Sequence, residues 1–309
     1  MAVAALDATF EERHTLHPAR PHNRESLVWV LALPESELAA FAYTWVDGQG
    51  RAGAAGVAYG RRLDEPVFEF TDGIAVDDAM RFTDWKVGPI RTAHTAPLQT
   101  ADITYTGEQL TMDFTFEALH EPYAYGTHAE GFPSFYADER YEQGGRGRGT
   151  LTVRGTEIPF DGFCHRDHSW GARDWGAVTH YKWVNFGTAD ASINVMDLQA
   201  LGQRTVRGYV HRHGETAEIL AARFDYDFDD AFYHRNVVAR LDDDAGRTTV
   251  ARTTAPATAQ AQYPINPRLN LVDVTGPAEI DGVAGASYVE MAWTPGYLAE
   301  RRARAGAGA

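Results

Sequence analysis

Eight consecutive residues, Leu110-Thr111-Met112-Asp113-Phe114-Thr115-Phe116-Glu117, alternate apolar and polar side chains without a break. Only an extended strand with one buried face matches that period. The same rhythm, cut by short turns, recurs over residues 27–33, 38–46, 54–59, 67–70 and 101–105. The turns carry Asp47-Gly48, Asp72-Gly73 and Gly107-Glu108, and glycine there tolerates the positive φ that tight hairpins require. Strands at roughly 8–12-residue spacing with such turns predict an antiparallel sandwich or barrel. Further strands are expected over residues 150–154, 157–160, 181–186, 191–200, 204–212, 217–226, 237–241 and 285–293. One short helix is expected at residues 77–82, and the tail after Tyr297 is expected to fray.

The chain has 309 residues, enough for about two domains. Gly144-Gly145-Arg146-Gly147-Arg148-Gly149 reads as a turn, and the junction is placed there, giving domains of 1–143 and 144–309. The glycine run lacks the Lys-Ser/Thr and following helix of a phosphate loop. A net charge of −15 repels polyanions and argues against a nucleic-acid partner. The lone Cys164 allows no internal disulfide and fits a reducing compartment. No run approaches about 18 apolar residues, and no basic leader precedes an apolar one in Met1–Arg13, so a cytoplasmic monomer or homodimer is expected. Tyr123 and Tyr136 lie in an aromatic, Pro- and Gly-rich stretch, residues 119–140, which suits a pocket rim or a covering loop.

One segment breaks the strand pattern. Cys164-His165-Arg166-Asp167-His168-Ser169-Trp170-Gly171-Ala172-Arg173-Asp174-Trp175 packs two His, two Arg, two Asp, one Ser and two Trp into twelve residues. Such groups are costly to bury unpaired, so the segment is an exposed loop or a pre-paired network in a cavity. If extended, His165, Asp167 and Ser169 share one face, and Arg166, His168 and Trp170 the other. Three readings follow: acid–base catalysis by Asp167, Asp174 or His168; structural Arg–Asp ties; or a metal site at His165, Asp167 and His168, whose spacing fits no standard zinc motif.

The run Asp167-His168-Ser169-Trp170-Gly171-Ala172-Arg173-Asp174-Trp175, with Arg140-Tyr141-Glu142-Gln143 before it and Val289-Glu290-Met291-Ala292-Trp293 at the end, resembles the carotenoid 1,2-hydratase and AttH-like superfamily. The resemblance implies an all-β chain of two tandem lipocalin-like (calycin-type) antiparallel barrels with few short helices. It also implies a cavity for a hydrophobic small molecule, and no cofactor or metal. It implies a hydratase or dehydratase acting on a terpenoid-like alkene or tertiary alcohol, with an isomerase or cyclase, or a non-catalytic carrier, as alternatives. The matching motif positions are His168, Trp170 and Asp174; Tyr181, Trp183 and Asp197 are nominated on nearby strands. On this reading Asp174 is the acid, Asp167 its ionised partner held by an arginine such as Arg173, and His168 positions water. Trp170, Trp175 and Trp183 shield a cation, and Tyr123 and Tyr136 shape the pocket.

Overall fold

The computed structural model describes residues 6–307. Its first sheet is built from β1 (Asn23–Leu33), β2 (Leu38–Asp47), β3 (Arg51–Tyr59), β4 (Val67–Ala75), β5 (Asp84–Val87), β6 (Ile90–Ala96), β7 (Thr100–Thr106), β8 (Leu110–Ala118), β9 (Tyr123–Ala124), β10 (Glu139–Val153) and β11 (Thr156–Ala172). The second sheet contains β12 (Val178–Gly187), β13 (Ser192–Ala200), β14 (Gln203–Arg212), β15 (Glu215–Phe228), β16 (His234–Asp243), β17 (Thr248–Thr253), β18 (Ala259–Asn266), β19 (Leu269–Ile280) and β20 (Val283–Trp293). Every ladder is antiparallel, and each sheet curls into a barrel. The first runs in the order β4-β3-β2-β1-β11-β10-β8-β7-β6-β5, with β9 on β10. The second closes where β17 pairs with β19. The expected all-β, two-barrel architecture is therefore the observed one.

Several local expectations change. Residues 77–82 form turns rather than a helix, and Pro295–Ala307 is a helix, α1, rather than a frayed tail; residues 308–309 lie outside the described part. The glycine run 144–149 is not a turn but the middle of β10. Glycine is needed there because a Cβ on Gly144 would run into the Ser192 hydroxyl of the second barrel, and one on Gly149 into the Asp113 carbonyl of β8. The change from one sheet to the other consequently falls between Ala172 and Val178 rather than at 143/144. Residues 164–172 are not an exposed loop: they end β11, which is paired on both sides, by β1 and β10.

Strand alternation gives each shared strand two destinations. On β1, Leu27, Trp29 and Leu31 fill the first barrel, while Val30 and Ala32 face the second. On β12, Val184 and Phe186 fill the second barrel, while Tyr181 and Trp183 face the first. The barrels thus meet through outer faces, β1, β2, β3 and β10 against β13, β18, β19 and β20.

Inside the first barrel, Arg166 Nη1 lies 3.0 and 3.2 Å from the two Glu11 oxygens, and Tyr141 and the Leu98 N–H donate to the same carboxylate. This network ties the N-terminal segment across the barrel. Burial works against the Glu11 charge, but Arg166 and the hydrogen bonds overcome it and hold the carboxyl at about 2. A depressed carboxyl contributes stability that is complete above its unfolded value of 4.5 and fades as the pH falls towards 2. Removing one partner of a buried ion pair costs about 3–5 kcal/mol. Arg166→Met should lose that much in urea unfolding at neutral pH, and less at pH 3, where the stranded Glu11 protonates. A loss under about 1 kcal/mol at neutral pH would show that the pair does not hold this end of the barrel.

Candidate functional site

The inter-barrel face holds two buried polar clusters. The first is made by one ladder. Asp273 on β19 stands directly opposite Glu290 on β20, and side chains on both strands alternate between barrel core (Val272, Val274, Val289, Met291) and interface. Asp273 Oδ2 accepts from Tyr263 at 2.8 Å and Tyr288 at 3.0 Å, with Tyr59 of the first barrel at 3.5 Å. Asp273 Oδ1 has no N–H or O–H donor among the described residues. Glu290 Oε1 accepts from Tyr181.

Burial raises both acids. Glu290 is pushed well above the usual carboxylate range by desolvation and then by the Asp273 charge. Asp273 is pushed up to about 6 by desolvation, with the tyrosine hydroxyls pulling the other way. Facing carboxyls in a dry site hold one proton between them, since two like charges at that range cannot both persist. That proton would also satisfy the bare Asp273 Oδ1. Val28, Phe41, Trp175, Tyr263 and Ile265 of the apolar interface cluster are partly exposed residues at its edge.

The second cluster joins β10 and β11 to β12. Arg140 donates to Glu142 through Nε and to Asp167 Oδ2 through Nη2, the latter at 3.0 Å. Glu142 also accepts from Trp183 Nε1 at 3.1 Å and lies 2.6 Å from His165 Nε2. Burial opposes the Glu142 charge, but Arg140 and His165 hold it below the usual range. Asp167 is raised, because burial outweighs its arginine. An ionised Glu142 can only accept, so Nε2–H of the fully buried His165 donates to it and, in the neutral imidazole, Nδ1 carries the lone pair. No described residue satisfies that Nδ1. The two clusters are electrostatically one site: the Arg140 charge draws Glu290 down, and Tyr136 senses Arg140, Glu290 and Asp167 together.

The residues singled out from sequence are distributed as the alternation dictates. Asp167 is in the second cluster, Trp183 bonds Glu142, and Tyr181 bonds Glu290. Trp175 lies between Tyr136 and Tyr181, at centroid distances of 5.6 and 5.8 Å. Arg173 covers the Tyr136 ring at 4.3 Å and donates to Ser169. Tyr123 is buried and donates to Glu218 at 2.8 Å. Four others are elsewhere. His168 points into the first barrel, to Glu25 at 2.8 Å, and Trp170 stacks on His14 at 3.6 Å. Asp174 caps a turn, its Oδ1 accepting from the Gly176 N–H at 2.8 Å. Asp197 lies on the far face of β13, bound to Lys182 and Arg204. His165, Asp167 and His168 cannot converge on one metal, because alternation sends His168 to the opposite face. His14, Glu25 and His168 do bring three ligand atoms within 4.8 Å of one another, but the N···O separations of 2.7 and 2.8 Å are those of direct hydrogen bonds.

Asp273, Glu290, Arg140 and Glu142 were not read as site residues. A signal existed: Asp273 and Glu290 are single carboxylates inside otherwise apolar runs, Leu271-Val272-Asp273-Val274 and Tyr288-Val289-Glu290-Met291, which are costly to bury without a purpose.

Fold and site together define an all-β protein of two antiparallel barrels, with acids buried where the barrels meet. The chain belongs to the family described as Domain of unknown function (DUF7064), which it matches over residues 7–295. Solved structures agree on the fold. A candidate AttH (NE1406) from Nitrosomonas europaea has a TM-score of 0.63 at 11% identity, covering 88% of this chain and 92% of that one. Kievitone hydratase from Nectria haematococca gives 0.58 at 12%, covering 94% of each. CghA with Sch210972 gives 0.60 at 14%, covering 95% of each. No curated protein sequence matches the chain. No helix among the described residues is long and apolar enough to cross a membrane.

The raised Glu290 carboxyl makes a stability prediction. The unfolded chain releases this proton near the ordinary value of 4.5, while the folded chain keeps it to higher pH. Wild-type stability therefore falls as the pH rises between those two values. Glu290→Gln has no such proton, so its stability relative to wild type should climb from pH 5 to pH 8, by on the order of 1–3 kcal/mol. Urea unfolding at the two pH values checks this, and a pH-independent difference would contradict it.

Proposed function

We propose that the protein is a cofactor-independent lyase, a hydratase or its reverse, acting on a hydrophobic molecule held between the barrels. The observation that carries this reading is the Asp273–Glu290 pair: a carboxyl pushed towards its protonated form by burial, beside the ring-lined cluster where the barrels meet. In the hydration direction Glu290 gives its proton to one alkene carbon, and the other becomes a tertiary carbocation facing the rings of Tyr181, Trp183 and Tyr288. Water adds its oxygen to that carbon and passes a proton to His165 Nδ1, which Glu142 orients and whose imidazolium it stabilises. Loss of that proton to solvent, and reprotonation of the carboxyl pair, complete the cycle. The sum is one water across one double bond, and dehydration runs the same steps backwards.

This reading moves the acid from Asp174, which caps a turn, to Glu290. It keeps Asp167 as a paired carboxyl beside an arginine, and replaces His168 by His165 as the residue that handles water. The fold of kievitone hydratase supports it. A second reading is that the ring-lined interface, in a fold shared with CghA solved with Sch210972, shapes a flexible substrate without acid chemistry.

Turnover separates the two. Acyclic terpenoid alkenes and tertiary alcohols incubated in heavy-isotope water should gain or lose one labelled water by mass spectrometry. Removing a general acid typically costs about 10²–10⁴-fold; Glu290→Gln should fall in that range, and Asp174→Asn should stay within about threefold of wild type. Rearranged product of unchanged mass, undiminished by Glu290→Gln, would favour the shaping reading. Retained ligand without product would favour a carrier.

A further inference from the structure

Strand β12 has a second polar face. Between Tyr181 and Trp183, which look towards the first barrel, Lys182 points the other way, into the mouth of the second barrel. It lines a pocket of about 340 Å³ with Asp197, Arg204, Arg223, Phe224 and Tyr226, within the size range of small-molecule sites. The Lys182 side chain is 7% exposed. It is held by three fixed groups. Asp197 Oδ2 is 3.1 Å away. His180 Nε2 accepts at 2.8 Å, because its Nδ1–H is committed to the Ala292 carbonyl at 2.7 Å and its ring is stacked on Trp293 at 3.9 Å. The rings of Phe224 and Tyr226 lie 5.6 and 5.9 Å from Nζ.

The charges do not balance. Both Asp197 oxygens are already engaged by Lys182 and Arg204. Among the described residues Arg223 lies 3.7 Å from Asp242, so three cations, Lys182, Arg204 and Arg223, face two carboxylates, Asp197 and Asp242. The pocket therefore carries one positive charge in excess on a chain whose net charge is −15. His180 does not add to it, since burial and the neighbouring Lys182 push its pKa down to about 4. Two hydrogen-bonded acceptors use two of the three ammonium protons of Lys182. Two aromatic rings, Phe224 and Tyr226, beside a mostly charged and open lining offer a carboxylate both cations and a small apolar face.

We propose that the mouth of the second barrel is a separate ligand site for a small organic carboxylate, with the carboxylate on Lys182 and Arg204 and the apolar body on Phe224 and Tyr226. The site is independent of the lyase reading, because it occupies the opposite face of the second sheet. The test is isothermal titration of the full chain with phenylacetate and with its neutral amide, phenylacetamide. Phenylacetate should bind saturably and at least about tenfold more tightly than the amide, the margin expected of a charge-assisted contact. Lys182→Gln should weaken it by about tenfold or more, and Glu290→Gln should leave it unchanged. Arg204→Gln, at a largely exposed side chain, should weaken binding likewise and serves if Lys182→Gln fails to fold. Absence of saturable phenylacetate binding, equal affinity for acid and amide, unchanged affinity in both cation variants, or loss on Glu290→Gln would each overturn the proposal.

Discussion

A strand in a closed barrel can give only one of its faces to the lumen. Everything specific to this protein depends on what its sequence puts on the other. In β11, β12, β19 and β20 the lumen face is largely apolar, apart from Arg166 and His168 in the first barrel and His180 and Lys182 in the second. The outer face carries Asp167, His165, Trp183, Tyr181, Asp273 and Glu290. When the barrels dock, those groups lose water together. Each must then find a partner or change its charge. Asp167 and Glu142 find Arg140; Asp273 finds tyrosine hydroxyls. Glu290 has only Tyr181 and a facing acid, so it keeps its proton. The chemistry proposed for the interface thus follows from its packing.

The strand rhythm was legible from the first eight alternating residues, and so was the division of residues 164–170 into two faces, which the structure reproduces: His165 and Asp167 meet the second barrel, Arg166 and His168 the first. What was not legible was pairing across distance. Glu11, which neutralises Arg166, lies 155 residues away, and no local pattern announces it. Dense ionisable sequence left an exposed loop and a pre-paired network both open, because the partners that make it a tolerable strand come from β1, β10 and the N-terminal segment. The same blindness favoured Asp174, prominent inside the motif, over Glu290, a single acid in an apolar strand. Glycine was misread at 144–149 for a related reason. It marks close approach of a second barrel as readily as a turn, and sequence alone does not separate the two.

The two faces of β12 link the proposed sites. Tyr181 holds Glu290, and its neighbour Lys182 holds Asp197. Both are set by the same backbone, and Lys182 and Asp197 are cross-strand partners in register with Trp183 and Met196.

The central claim is that Glu290 is protonated at neutral pH. Infrared spectroscopy of the folded protein reads this directly, through the carbonyl stretch of a protonated carboxyl. The account expects such a band at pH 7 in wild type, shifted in deuterated buffer and missing from Glu290→Gln. A wild-type spectrum without it, or a band unaltered in Glu290→Gln, would mean that the inter-barrel pair holds no proton there, and the acid mechanism would fall.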